Sequence, residues 1–449
     1  MSHVLRRTFC ALPTLVVLAA AMQWSVADTA RAQFFGRSAV GGVKVDVDGV
    51  LSNADVGATQ EMQQAWQAGL QDVPEDLAKP TDLRFVSLKQ IEKAVADAAA
   101  KGEPLPDAVK YLAGLQRIRY VLVYPESHDI VLAGPAEGWR VDARGNVVGA
   151  TTGRPVVLLQ DLMVALRTAE STNTSGISCS IDPTPEGIRR WQQLQLSAQP
   201  TVAARQLEEA VGDQSITVTG VPTTSHFART LVAADFRMKR LGMGFEPAPV
   251  AGLPSYLDML GGAPRGGNNP MPRWWLAPDY DPLRRDADGL AWEIRGQGVK
   301  CMSEQDMFTA GGGRQHTGRS EPTAQRWADL MTDKYSELAR EDSAFGELRN
   351  VMDLAVVAAL LAKENLLVTS GLEMPELMGE APLDEYNAPR KVASQASFVK
   401  KGRRWVVSVS GGVQIYPWQV ADRTEVADEL ATARPKLDAA GANRWWWQP

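Results

Sequence analysis

Asp279, Asp281 and Glu293 lie close together in the chain and beside Trp274, Trp275 and Trp292. Two carboxylates held about 5 to 9.5 Å apart are enough to cleave a glycosidic bond. Flanking indoles, with Arg273, would line a groove for a sugar or a peptide. This stretch therefore supplies the catalytic candidates of a carbohydrate- or peptide-active hydrolase (Asp279, Asp281, Glu293) and its binding candidates (Arg273, Trp274, Trp275, Trp292). The same residues have a plainer use, since aromatics at period two fill strand cores and acids gather at strand ends and turns. That use is the commoner one.

Other chemistry-bearing patterns are incomplete. Gly313–Ser320, GRQHTGRS, carries Arg319 where a phosphate loop needs the lysine that reaches the terminal phosphates. Ser397-Phe398-Val399-Lys400 matches S-x-x-K, but no K-T-G follows and the match falls at a hairpin, not a helix start. Asp46 and Asp48 resemble a calcium loop that lacks an acid at Lys44 and a glutamate at Asp55. His128, His226 and His316 have no metal-ligand spacing, so neither a metal nor another cofactor is expected. Cys179 and Cys301 sit on strand-like segments and invite a disulfide. It would close a loop of about 120 residues and contribute on the order of 4 kcal/mol; two buried free thiols are the alternative.

The elements around these residues begin with a leader. Arg6 and Arg7 precede an apolar run from Leu12 to Met22, and Ala30-Arg31-Ala32 gives a small-x-small cleavage pattern. The run is well short of the roughly 20 residues that span a bilayer, so a signal peptide over 1–32, cut after Ala32, is expected rather than an anchor. Secretory and twin-arginine export both remain open. The mature protein is expected to be periplasmic or extracellular. Loss of Arg6, Arg7, Arg31 and Asp28 takes the formal charge from −6 to −8. A mildly acidic chain with no polybasic block argues against a nucleic-acid partner, and no second long apolar run suggests a transmembrane anchor in the mature chain.

The rest reads as α+β, with mixed or antiparallel sheets packed against helices in two domains. Residues 36–170 carry alternating Val43, Val45 and Val47, a helix from Leu88 to Ala100, and two successive hairpins around 125–129 and 142–146, which together make an N-terminal domain. The linker 171–176 leads to a central domain, 176–370, of β-α-α-β-α order. Its helix after Ser225 has an apolar stripe of Phe227, Leu231, Met238 and Leu241, with Arg229, Arg237 and Arg240 off the stripe and Asp235 able to pair with Lys239. Glu321 to Arg340 reads as one long helix. The next, 344–364, contains VMDLAVVAALLA with Asp353 as its only charge, so it should be buried on nearly every face. Residues 371–392 form an irregular excursion. Residues 393–449 add a hairpin, a strand, a helix from Thr424 to Ala433 and a tail, expected to pack on the central domain, ending in Trp445, Trp446 and Trp447.

The segments GISCSIDPTPEG (176–187), HFARTLVAADFRMKRLGMGFEP (226–247), PRWWLAPDYDPLRRDADGLAWEIRGQGVKCM (272–302) and YSELAREDSAFGELRNVMDLAVVAALL (335–361) together resemble the exported planctomycete proteins grouped as domain of unknown function fifteen ninety-eight. The resemblance runs over roughly 170–370. It implies an envelope or secreted protein and lends no reaction, cofactor or catalytic residue. The expected function is a non-catalytic binding or structural role in the cell envelope, through contacts with an envelope protein or polymer. Trp445, Trp446 and Trp447 are the candidate docking element, and the hydrolase above is the alternative.

Overall fold

The computed structural model describes residues 40–53, 67–195, 197, 199–260, 271–308, 314–399, 404–407, 410–435 and 445–448. The expected signal peptide, the Gly- and Pro-rich stretch 261–270, Gly313 and Lys400 lie outside them.

Helix α1 (Leu159–Thr168), helix α2 (His226–Gly242) and helix α3 (Ser343–Lys363) form the centre. α3 forms because Ala, Leu and Met favour the helix and Asp342 caps it, its side chain accepting from the Ala344 amide. Every residue from Ser343 to Leu361 is buried, as the apolar run requires. Gly346 lets Pro155 approach: a Cβ there would stand 2.6 Å from the proline ring. α1, α2, the helix Tyr335–Glu341 and the short helix Pro417–Ala421 pack around α3.

Two mixed sheets flank these helices. Among the described residues the larger has nine strands in the order Val43–Val45, Val50–Asn53, Lys391–Ala393, Asp213–Thr219, Ile177–Pro183, Ser410–Ile415, Met271–Asp279, Gly298–Phe308 and Arg314–His316. It is antiparallel except where Met271–Asp279 meets Ser410–Ile415 and where Lys391–Ala393 meets Val50–Asn53. Strict alternation of burial along Ile177–Pro183 turns one face of the sheet toward α2. The second sheet runs Thr424–Val426, Leu283–Arg285, Ala291–Glu293, Tyr120–Tyr124, Asp129–Ala136, Thr81–Ser87 and Trp446–Trp447. Helix Leu88–Lys101 packs on it, and Ala427 and Leu430 pack on its residues Phe85, Leu122, Tyr124 and Val131. The stretches 36–170, 176–370 and 393–449 thus share one sheet, within a single compact unit, 39–449.

Two local expectations change. The helix expected over 321–340 is two helices, Pro322–Asp333 and Tyr335–Glu341, because the chain turns at Lys334. Thr424–Val426 is a strand, drawn into parallel pairing with Leu283–Arg285, and only Asp428–Ala433 is helical, as a 3₁₀ turn. The acids at 46 and 48 belong to a turn in which the Asp46 carboxylate accepts from the Asp48 and Val50 amides, at 2.9 and 2.8 Å.

Candidate functional site

The structure does not gather the aromatic candidates into a groove. Trp274 is fully buried in the larger sheet, its indole donating to the Ala324 carbonyl at 3.2 Å and its ring against Trp327 and Tyr256. Trp292 is buried in the other sheet and donates to the Gly289 carbonyl at 2.8 Å. Trp275, on the face opposite Trp274, lies under the Arg273 guanidinium, which also pairs with Glu304. Asp279 accepts from Gln297, Asp281 is exposed, and Glu293 is held by Arg284 at 3.1 Å and faces the Tyr120 hydroxyl. The two buried rings belong to different sheets, Trp274 to the larger and Trp292 to the second.

The terminal tryptophans are likewise engaged within the chain. Trp446 and Trp447 pair antiparallel with Val86 and Phe85; Trp447 stacks on Phe85, and Arg84 lies over Trp446. The Trp445 carbonyl accepts from the Ser87 amide. They close the edge of the second sheet, where an unpaired strand would be a template for association.

Cys179 and Cys301 are free and buried, so the expected disulfide is absent. The register explains why. Cys179 is opposite Val413, Val413 opposite Leu276, and Leu276 opposite Cys301, which puts the two thiols in one row across four strands. Three strand spacings separate their Cα atoms by about 14 Å, twice the limit for a bridge, about 7 Å. Burial pushes both thiols up, leaving them unreactive. Without reductant, both should resist alkylation in the native protein and both should be alkylated in denaturant; a pair protected in denaturant would show a bond.

The chemically richest region is a polar seam along α2 and α3. Ser225 caps α2 and sets His226 at its first turn. There His226 Nδ1 donates to Asp161 Oδ2 of α1 at 2.9 Å, with the Tyr386 ring edge-on to the imidazole. Tyr386 belongs to the irregular excursion; it accepts from Gln160 and lies under the Arg229 guanidinium. Burial alone would lower the His226 pKa, but the Asp161 carboxylate outweighs it and the net direction is up. Glu347 of α3 faces the same cluster. Burial pushes its carboxyl up to about 8, against the pull of His226, and one of its oxygens has no hydrogen-bond partner. A neutral Glu347 is therefore its resting state near neutral pH.

Farther along the seam the charges are paired. Asp342 takes Arg237 at 2.6 Å and Arg144 at 3.6 Å, and Glu246 takes Arg237 and Arg240. Lys239 bridges Asp235, at 2.9 Å, to the Ile181 carbonyl. At mid-helix Asp353 receives Arg117 through Nε and Nη2, each at 3.0 Å, and the Tyr280 hydroxyl at 2.7 Å. The sequence marked Asp353 and the Asp235–Lys239 pair; it did not mark Asp161, Glu347 or Tyr386, which come from three separate stretches. Arg229 and Arg237, expected off the buried stripe, are buried because the excursion and the α3 cap supply their partners.

A groove of about 180 Å³ is lined by Leu166, Ala169, Ala358, Leu361, Leu367 and Val368; a smaller one, about 40 Å³, has Lys239 and Arg240 at its wall. Among the described residues, no His, Cys, Asp and Glu cluster could hold a metal ion, and no helix is long and apolar enough to cross a membrane.

Residues 179–256, from the central strand through α2, match the family described as protein of unknown function, DUF1598. The match covers the first of the four resembling segments from Cys179 onward and all of the second. No curated protein and no solved structure matches the chain.

Proposed function

We propose that this is an exported protein of the cell envelope with a non-catalytic binding or structural role. The observation that carries the reading is how its charges are spent: Asp353, Asp342 and Asp235 each hold a cation from another turn or another stretch of chain against α2 or α3. Groups fixed in this way secure the packing of helices and are not free to exchange protons with a substrate. The leader-like beginning of the chain and its likeness to exported proteins support the location.

The test has two parts. Expression in a Gram-negative host, fractionation and N-terminal sequencing should recover a chain beginning at Gln33 outside the cytosol; an intact precursor in the cytosol overturns export. Assays against polysaccharides and peptides should detect no turnover. Turnover that disappears in Glu293→Gln or Glu347→Gln overturns the non-catalytic role.

A further inference from the structure

Beyond the last turns of α1 and α3 the chain is bent so that it leaves an apolar space open instead of closing over it. α3 stops at Lys363, and Asn365, with a left-handed φ of 52°, swings the backbone into the short helix Leu366–Ser370. A residue with a Cβ is seldom held in that conformation, and such strain gathers where ligands are clamped. The bend brings Leu367 and Val368 to one groove with Leu166, Ala169, Ala358 and Leu361, the space of about 180 Å³ described above.

Met378 completes the lining from the π-helical turn Glu376–Glu380. Charged side chains pin that turn at both ends. The Glu92 carboxylate accepts from the Glu376 and Leu377 amides at 2.8 and 3.0 Å. Arg167 donates to the Leu377 and Glu376 carbonyls, each at 2.9 Å, and to the Ala381 carbonyl at 2.8 Å. π turns are rare and recur at functional sites. A wall fixed before a ligand arrives also spares the ligand the cost of ordering it.

Val368 is 82 % exposed and Met378 40 %, so the rim presents hydrocarbon to solvent. An aliphatic cavity of about 150 Å³ is enough to take up a benzene-sized apolar molecule. This one is as large, and as a groove it suits a chain better than a ring. Glu170 belongs to the same lining, exposed and with no ion-pair partner among the described residues. The cations nearest to it in α1 and α3 are committed, Arg167 to the carbonyls just given and Lys363 to Asp422 at 3.0 Å and the Ala421 carbonyl at 2.8 Å. A free carboxylate beside hydrocarbon complements a cationic head on an apolar tail and repels an anionic one.

We propose that this groove binds the tail of a single-chain amphiphile whose ammonium head pairs with Glu170. The site does not depend on where the protein resides, and purified full-length chain tests it. Isothermal titration with hexyl- and octyltrimethylammonium, below their micelle thresholds, should show saturable binding at one site, tightened about 15-fold by the two added methylenes. Octyl sulfate should bind about fivefold more weakly than the octylammonium, and Glu170→Gln should remove most of that difference. Ala362→Trp, at a half-buried position of the lining, fills the groove and should abolish binding. Val47→Asp, at an exposed apolar residue outside it, should leave binding unchanged. Val368→Asn lies too far into solvent to disturb folding; it should weaken binding about fivefold and decides the matter if Ala362→Trp does not fold. Heats that do not saturate, a sulfate bound as tightly as the ammonium, or a Val368→Asn affinity equal to that of the parent overturn the site.

Discussion

Replacing Asp353 by alanine should lower the free energy of unfolding by about 3 to 5 kcal/mol, the usual consequence of leaving a buried cation without its partner. The carboxylate is wholly buried and Arg117 only 14 % exposed, so water cannot take over the lost contact. Removal also strands the Tyr280 hydroxyl and the Ile118 amide, which donate to the same group. Urea denaturation of the single variants and of Arg117→Met/Asp353→Leu separates the pair from its surroundings. The double variant should recover much of the loss, because an apolar pair of similar volume needs no desolvation of charge. A loss under 1 kcal/mol for Asp353→Ala would show that the pair is not the clamp described here.

Stability should also fall as pH rises from about 5 to 9. The Glu347 carboxyl is raised by burial to about 8, so between the ordinary carboxylate range and pH 8 the folded chain keeps a proton that the unfolded chain releases. His226 is raised as well: the stability it contributes is fully present below pH 6.5 and is lost as pH climbs through its folded value. Asp235, raised to about 6 chiefly by burial, acts in the same direction at the lower end of the window. All three hold protons more tightly when folded, so the signs agree, and the combined change is on the order of a few kcal/mol. Other charges act on this centre too. Asp161, Arg229 and Glu347 act on His226, and Asp142, Asp161 and Asp342 act on Glu347. Thermal melts of the parent and of Glu347→Gln at pH 6, 7, 8 and 9 test the assignment, with the variant expected to give the flatter curve. Parallel curves would remove Glu347 from the account.

Periodicity made the α+β class and the burial of α3 legible, because a twelve-residue apolar run with one acid has few other uses. It also marked the hairpins, whose turn residues are local. What it could not supply is the partner of that acid: Arg117 is 236 residues away from Asp353. The aromatic pattern around Trp274 was equally visible, but period two does not say which sheet receives a strand, and Trp274 and Trp292 went to different ones. The expected helix at 424–433 failed for a related reason, since its first residues find a parallel partner in Leu283–Arg285 that local propensity cannot see. Arg229 and Arg237 show the converse. Charged residues mark a solvent face only when the rest of the chain brings nothing to meet them.

Strand Ser410–Ile415 sits between Ile177–Pro183 and Met271–Asp279, squeezed so closely that Gly411 and Gly412 leave no room for a Cβ beside the Trp274 and Cys179 carbonyls. In the chain this piece comes after both of the strands it joins. Until it arrives the sheet is two unfinished halves with raw edges, each able to capture a neighbouring polypeptide. Assembly of the sheet must therefore wait for this strand, which joins pieces made well before it, and a nascent chain lacking it is exposed to association.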